Sequence, residues 1–293
     1  LDQDPEAFRL IYPASLLIAS IGVVAFSRVR LRGERELLAF ESRQTARPQP
    51  HGTPGTIYEY DPRAGTDSYW TVLRQDHLFR RYMMLQFFGG MANMMGDVVM
   101  IYLIAEMTKH RPHEYLISIL LTTAIPMLMA TLTLPAWARY FDRVHVIQLR
   151  ARQGVLWQVN QLLNWISIIS GSLVIIAIAR IATGVNRGGG VLAWNLGHND
   201  FADRRLVSLY MGIHLTLTGI RGALGPFVAM MLYLGWSNEA LAWLGLTVPS
   251  FDGIHQHVFL VTAGMAMLTT LGFFHLKTKL PHNWGNKSEM HDK

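Results

Sequence analysis

The sequence predicts an all-α, polytopic transmembrane helix bundle, and three observations predict it. Apolar residues make up 51% of the 293 positions and charged residues only 16%, against roughly 25% charged in an ordinary soluble domain. The apolar residues fall in runs long enough to cross a bilayer, which takes about 20 residues at 1.5 Å per residue. The basic residues fall on alternate flanks of those runs. The chain has no cysteine. That excludes a disulfide framework, a Cys-based zinc site and a Cys nucleophile.

Seven spans are expected, at 8–26, 82–105, 115–137, 154–169, 172–197, 206–234 and 258–276. The first stands alone and the other six form a group with short loops. Residues 154–197 are too long for one crossing, and a bend at Ser170-Gly171-Ser172 divides them into two. The fourth span is unusually polar, with Gln158, Asn160, Gln161 and Asn164. These spans give four regions: a lone helix at 1–27, a linker at 28–81, a six-helix bundle at 82–276 and a tail at 277–293.

Lys and Arg tend to stay on the cytoplasmic side of a membrane. The flanks 28–81, 139–152, 198–205 and 277–293 carry twenty of them, and the opposite flanks carry two, Lys109 and Arg111. The linker and the C-terminus are therefore expected to be cytoplasmic. The net charge of +6 reflects orientation and calls for no nucleic acid. A multi-pass protein of a bacterial inner membrane is the expected location.

Three motifs in the six-span group resemble those of the major facilitator superfamily. Arg180-x-x-x-Gly184-x-x-x-Gly188-Gly189 is similar to the Arg-and-Gly motif on the fourth helix of each half. Gly219-x-x-Gly222-x-x-Gly225-Pro226 is similar to the Gly-Pro motif of the following helix. Asp142-Arg143, after Trp137-Ala138-Arg139, is similar to the loop motif between second and third helices, with Ala138 where glycine is usual. The resemblance implies a C-terminal half: the sixth helix at 8–26, the central loop at 28–81, and helices seven to twelve. It implies a missing N-terminal half as the partner of this bundle. It also implies secondary active transport of a small solute by alternating access.

Glycine-rich stretches recur on the first and fourth helices of the group, at 87–97 and 180–190. Corresponding Gly-interrupted helices in two repeats point to a transporter site. Small residues also serve tight helix packing, and both readings stay open at this point.

Charged residues inside a membrane usually face a cavity or a partner. Asp97, Arg180, Arg187 and Arg221 lie within expected spans. Asn93 and Asp97 share a helix face at i,i+4 spacing; Arg180, Arg187 and Trp194 share another, with Asn195 beside it. Tyr210, His214, Thr218 and Arg221 form a third stripe. Depths counted along the helices pair Asp97 with Arg180, with Arg221 as a second partner, and leave Arg187 free. A free guanidinium favours an anionic solute through bidentate hydrogen bonds. The expected solute-binding residues are thus Arg187, Arg221, Asn93, Trp194 and Asn195. Asp97 and His214 are the expected proton-coupling groups, and H⁺ the expected coupling ion. Arg180 is expected in a structural ion pair. No enzyme motif, cofactor signature or metal framework is present. A sensor or assembly protein on the same scaffold is the alternative function.

A single cysteine placed at position 55 should resist an impermeant thiol reagent applied outside intact cells, and react after permeabilisation. Labelling from outside would overturn the orientation.

Overall fold

A computed structural model describes residues 68–202, 206–238 and 248–280. The expected span at 8–26, most of the linker at 28–81 and most of the tail lie outside the described residues. Within them the fold is helical. A short helix α1 (Tyr69–Gln75) leads into α2 (His77–Thr108). Then come α3 (Glu114–Phe141), α4 (Val146–Ser170), α5 (Leu173–Leu196), α6 (Val207–Leu234) and α7 (Val258–Lys277). The six long helices match the six expected spans. The main differences are at the N-terminal ends of α2 and α4: α2 starts at His77 and α4 at Val146, each about a turn or more before the apolar run begins.

Local chemistry sets these boundaries. Asp76 caps α2 by accepting the Phe79 N–H at 2.8 Å, the usual service of an N-cap carboxylate to an orphan donor. Its other oxygen accepts the Tyr210 hydroxyl at 2.8 Å, which ties α2 to the start of α6. Burial pushes the Asp76 carboxyl above the ordinary carboxylate range, while the Phe79 and Tyr210 bonds pull it back. Gly171, at φ 64°, ends α4 in the left-handed region, which glycine enters without a Cβ clash. This is the bend expected between the fourth and fifth spans.

Among the described residues, four helical stretches are long and apolar enough to cross a membrane: His77–Thr108, Glu114–Phe141, Val207–Leu234 and His255–Lys277. α4 is more polar because its polar side chains turn inward. Asn160, Gln161 and Asn164 are buried, while Val155, Val159, Ile166 and Ile169 stand exposed. A water-soluble helix has the reverse arrangement. Across the bundle, Arg180, Arg221, His214 and Gln153 are buried, and large apolar side chains such as Met127, Leu132, Val174, Phe227 and Leu268 are exposed.

The packing repeats internally. α2 packs mainly on α6 and α7, α5 on α3 and α4, and α4 on α7. Exchanging α2, α3 and α4 for α5, α6 and α7 leaves this pattern unchanged. Three consecutive antiparallel helices reverse direction before the second triplet starts, so the two triplets run in opposite senses. α4 and α7 form the back of the bundle, α2 and α5 stand in front of them, and α6 and α3 flank those.

The glycines of α5 serve close approach to α3. A Cβ at Gly184 would lie 2.5 Å from the Pro126 carbonyl oxygen, and one at Gly188 2.7 Å from Thr133 Oγ1 and 3.0 Å from the Ala130 carbonyl. Gly189 faces the Trp137 ring, whose Nε1 donates to the Val185 carbonyl at 2.7 Å. The packing reading therefore holds for these three. Gly190, by contrast, borders a cavity.

Gly184→Ala should destabilise the bundle by about 1–3 kcal/mol, the usual cost of overpacking a tight contact, because backbone cannot yield as a side chain can. Gly222→Ala, whose Cβ would meet open space, should be near neutral. Thermal unfolding of the two variants in one detergent checks the contrast.

Candidate functional site

Two apolar clusters sit at opposite ends of the bundle. One gathers Phe79, Tyr82, Phe201, Tyr210 and Phe273 where α2 and α4 begin. The other gathers Met95, Val99, Ile104, Ile176 and Phe259 toward the far end. Between them lies a cavity of about 350 Å³, within the range of small-molecule sites. Its walls come from α2, α4, α5 and α7, with Arg221 reaching in from α6. Asn93, Asp97, Arg187, Trp194, Asn195 and Arg221 all line it. The sequence placed these six on three separate stripes, and the fold brings them to one space.

The ion pairing matches the expectation in part: Arg180 reaches Asp97, and so, more closely, does Arg187. Asp97 Oδ2 accepts Arg187 Nη2 at 2.7 Å. Arg180 Nη1 stands 3.9 Å from Asp97 Oδ1, and its Nε donates instead to the Leu121 carbonyl at 3.1 Å. Arg221 forms no ion pair with Asp97. Arg187 is thus Asp97's close partner and is not free. The correction follows from side-chain direction. Every Cα–Cβ bond leans toward its own helix N-terminus. α2 and α5 are antiparallel, so Asp97 and Arg187 lean toward each other, whereas Arg180 leans away toward α3. Backbone depth alone ignores this, and an Arg side chain easily spans the difference. The Leu121 acceptor lies in a π-helical stretch, Leu120–Ala124, of the kind often found at functional sites.

Arg221 has a different setting. Its Nη1 donates to the Gln86 carbonyl at 2.8 Å, and its guanidinium lies 4.5 Å from the Trp194 ring centroid, a cation–π distance. Gly90 makes this possible: a Cβ there would collide with the guanidinium. Arg221 is 3% exposed, and its Nε has no hydrogen-bond partner among the described residues.

His214 does not line the cavity. It is buried behind Trp194, with ring centroids 4.4 Å apart. The expected stripe of Tyr210, His214, Thr218 and Arg221 therefore divides: Arg221 reaches the cavity, and Tyr210 holds Asp76. Asn195 lines the wall while donating to Val191 O of its own helix at 2.9 Å. Asp142 and Arg143 are exposed and form no ion pair among the described residues.

The sequence reading missed Arg150, Gln153 and Trp157, which line the α4 wall. Arg150 Nη1 donates to Gln153 Oε1 at 2.9 Å, and Gln153 Nε2 donates to the Asn186 carbonyl at 2.8 Å. The signal was present. Arg150, Gln153, Trp157, Asn160 and Asn164 recur at three- and four-residue spacing, a polar helix face. Arg150 was counted as loop charge because the apolar run starts only at Gly154.

Comparison of the chain with protein-family models, curated proteins and solved structures gives no match.

Asp97→Asn and Arg187→Gln should each cost about 1–2 kcal/mol of stability, toward the low end for a charge-assisted bond because both side chains are about a third exposed. The double variant should lose less than the sum. Asp97→Asn with Arg180→Gln should be closer to additive. Unfolding free energies of the two cycles check which arginine holds Asp97.

Proposed function

We propose that the chain is a secondary membrane transporter that carries a small solute by alternating access, with all six long helices crossing the bilayer. The observation that carries this reading is the cavity: a polar, charged space between two dry clusters, at the junction of two oppositely directed three-helix units. Secondary transporters built from inverted repeats place their sites at such junctions. The inside-out distribution of polarity supports a bilayer location for α4 and α5 as well as for the four more apolar helices.

The resemblance of the Arg-and-Gly and Gly-Pro motifs to the major facilitator superfamily supports the same reading. On it, this bundle works against a second six-helix bundle, the N-terminal half, which closes the cavity. Alternating access is one bundle rocking against the other around a fixed site. The twenty-to-two Lys/Arg asymmetry supports a cytoplasmic position for the end where α2 and α4 begin.

Asp97 supplies a route to H⁺ coupling. Ionised, it holds Arg187. Protonated, it loses the charge that attracts the guanidinium, and Arg187 becomes available to a solute or to another wall of the cavity. The Asp97 carboxylate and the solute would then compete for one arginine, so that protonation of Asp97 favours solute binding, which is a direct way to link their movements. Arg180, held by α3 carbonyls, stands beside the same carboxylate.

Transport assays in vesicles containing the protein, with a panel of labelled small solutes and an imposed pH gradient, test this. Gradient-driven accumulation of a solute is the expected result. Asp97→Asn should abolish accumulation while leaving solute exchange, which needs no net protonation. Full accumulation by a well-folded Asp97→Asn protein would contradict the coupling role, and a folded protein that moves no solute would contradict transport.

A further inference from the structure

Three polar side-chain atoms in the cavity wall are buried and have no hydrogen-bond partner among the described residues: Arg221 Nε, Arg150 Nε and Trp157 Nε1. All three are N–H donors. Orphaned amide oxygens occur elsewhere in the bundle, on Gln158, Gln161, Asn164 and Asn186, but none of those residues lines this cavity. Buried donors ordinarily find acceptors, and the fully buried orphans of this wall, all donors, are complementary to a group that accepts.

Charge gives the same answer. Neither Arg150 nor Arg221 pairs with a carboxylate among the described residues. Asp97, the one acid in the cavity wall, is taken by Arg187. It also sits eleven residues beyond Gln86, whose carbonyl holds Arg221. That is roughly 16 Å along α2. The cavity is therefore bipolar. One end holds a neutralised pair, and the other holds two guanidinium groups that no carboxylate among the described residues pairs.

The Arg221 site is built, not incidental. Its guanidinium is clamped between Gly90 and Trp194, with Nη1 committed to backbone and Nε left over. Fixing an arginine in this way lowers the entropy lost when it binds an oxyanion. The remaining wall is largely apolar, with Met94, Trp157, Trp194 and Phe273.

The geometry points to an oxyanion subsite between Arg150 and Arg221, which takes the carboxylate or phosphate of a small organic anion whose apolar body rests on Trp157 and Trp194. This deepens the transport reading by naming the cargo's chemical class. It is tested by binding, so that it and the transport reading can fail separately.

The experiment is tryptophan-fluorescence and calorimetric titration of the purified protein in lipid nanodiscs. The probes are benzoate, phenyl phosphate and inorganic phosphate, with neutral benzyl alcohol and cationic benzylamine of similar size. Benzoate or phenyl phosphate should bind saturably, at least about tenfold tighter than benzyl alcohol, the scale of a charge-assisted hydrogen bond. Benzylamine should not bind. A preference for phenyl phosphate and inorganic phosphate over benzoate assigns the cargo to phosphates, and the reverse assigns it to carboxylates. Arg221→Gln should weaken the bound anion at least about tenfold. Arg150→Gln should weaken it too, and stands in if Arg221→Gln does not fold, as judged by thermal unfolding. Lys109→Gln, on the far loop, should change nothing. Equal affinity for benzyl alcohol, no saturable anion binding up to about 10 mM, or undiminished binding in both arginine variants would overturn the subsite. Anion binding by a protein that moves no solute would leave the subsite standing and remove the transport reading.

Discussion

A bundle whose outside is apolar has only its inside left for polar groups, and this constraint organises the rest of the structure. Charged and amide side chains cannot be scattered over such a surface, so they converge. Once inside, each needs a partner, because an unpaired buried polar group is costly. Arg180 takes carbonyls of α3, Asp97 takes Arg187, Gln153 takes the Asn186 carbonyl, and Thr183 donates to Asn160 at 3.1 Å. Arg150 and Arg221 each keep a buried Nε–H with no partner among the described residues, and there the polar interior becomes a cavity.

The internal repeat explains where that cavity falls. Because α2 and α5 occupy matching places in two oppositely directed triplets, they face each other across the cavity with α4 and α7 behind them. Their side chains lean toward opposite ends of the bundle and so converge at mid-height. Glycine does a different task in each: on α5 it lets α3 approach, and at Gly90 on α2 it lets the Arg221 guanidinium lie against the helix. Two glycine-rich helices in matching places thus serve one packing interface and one site.

The positions of the six long helices were legible because bilayer thickness sets a length that apolar runs were read against, and Gly171 was legible because few residues accept a positive φ. The stripes of Asn93 with Asp97 and of Arg187 with Trp194 were legible from the 3.6-residue period, and both reach the cavity. Helix partners were not. That Asp97 lies closer to Arg187 than to Arg180 depends on which way side chains lean and how α2 sits against α5, and spacing within one helix holds neither. His214 shows the same limit from the other side: it shares a stripe with Arg221, yet Trp194 fills the space between it and the cavity. Arg150 was overlooked for a third reason. Helical backbone continues past the end of an apolar run, so hydropathy places the boundary of α4 too late.

The central claim is that α5 turns one face to water in the middle of a membrane and another face to lipid. In the structure both Val191, which lines the cavity, and Ile178, on the opposite side of the helix, are about half exposed, and only a bilayer distinguishes them. Single cysteines at these two positions in membrane-embedded protein, treated with a small charged thiol reagent, measure the difference directly. Rapid reaction at 191 with protection at 178 is the predicted result. Equal reaction at both positions would contradict a bilayer around the bundle, and protection at both would contradict a wet cavity within it.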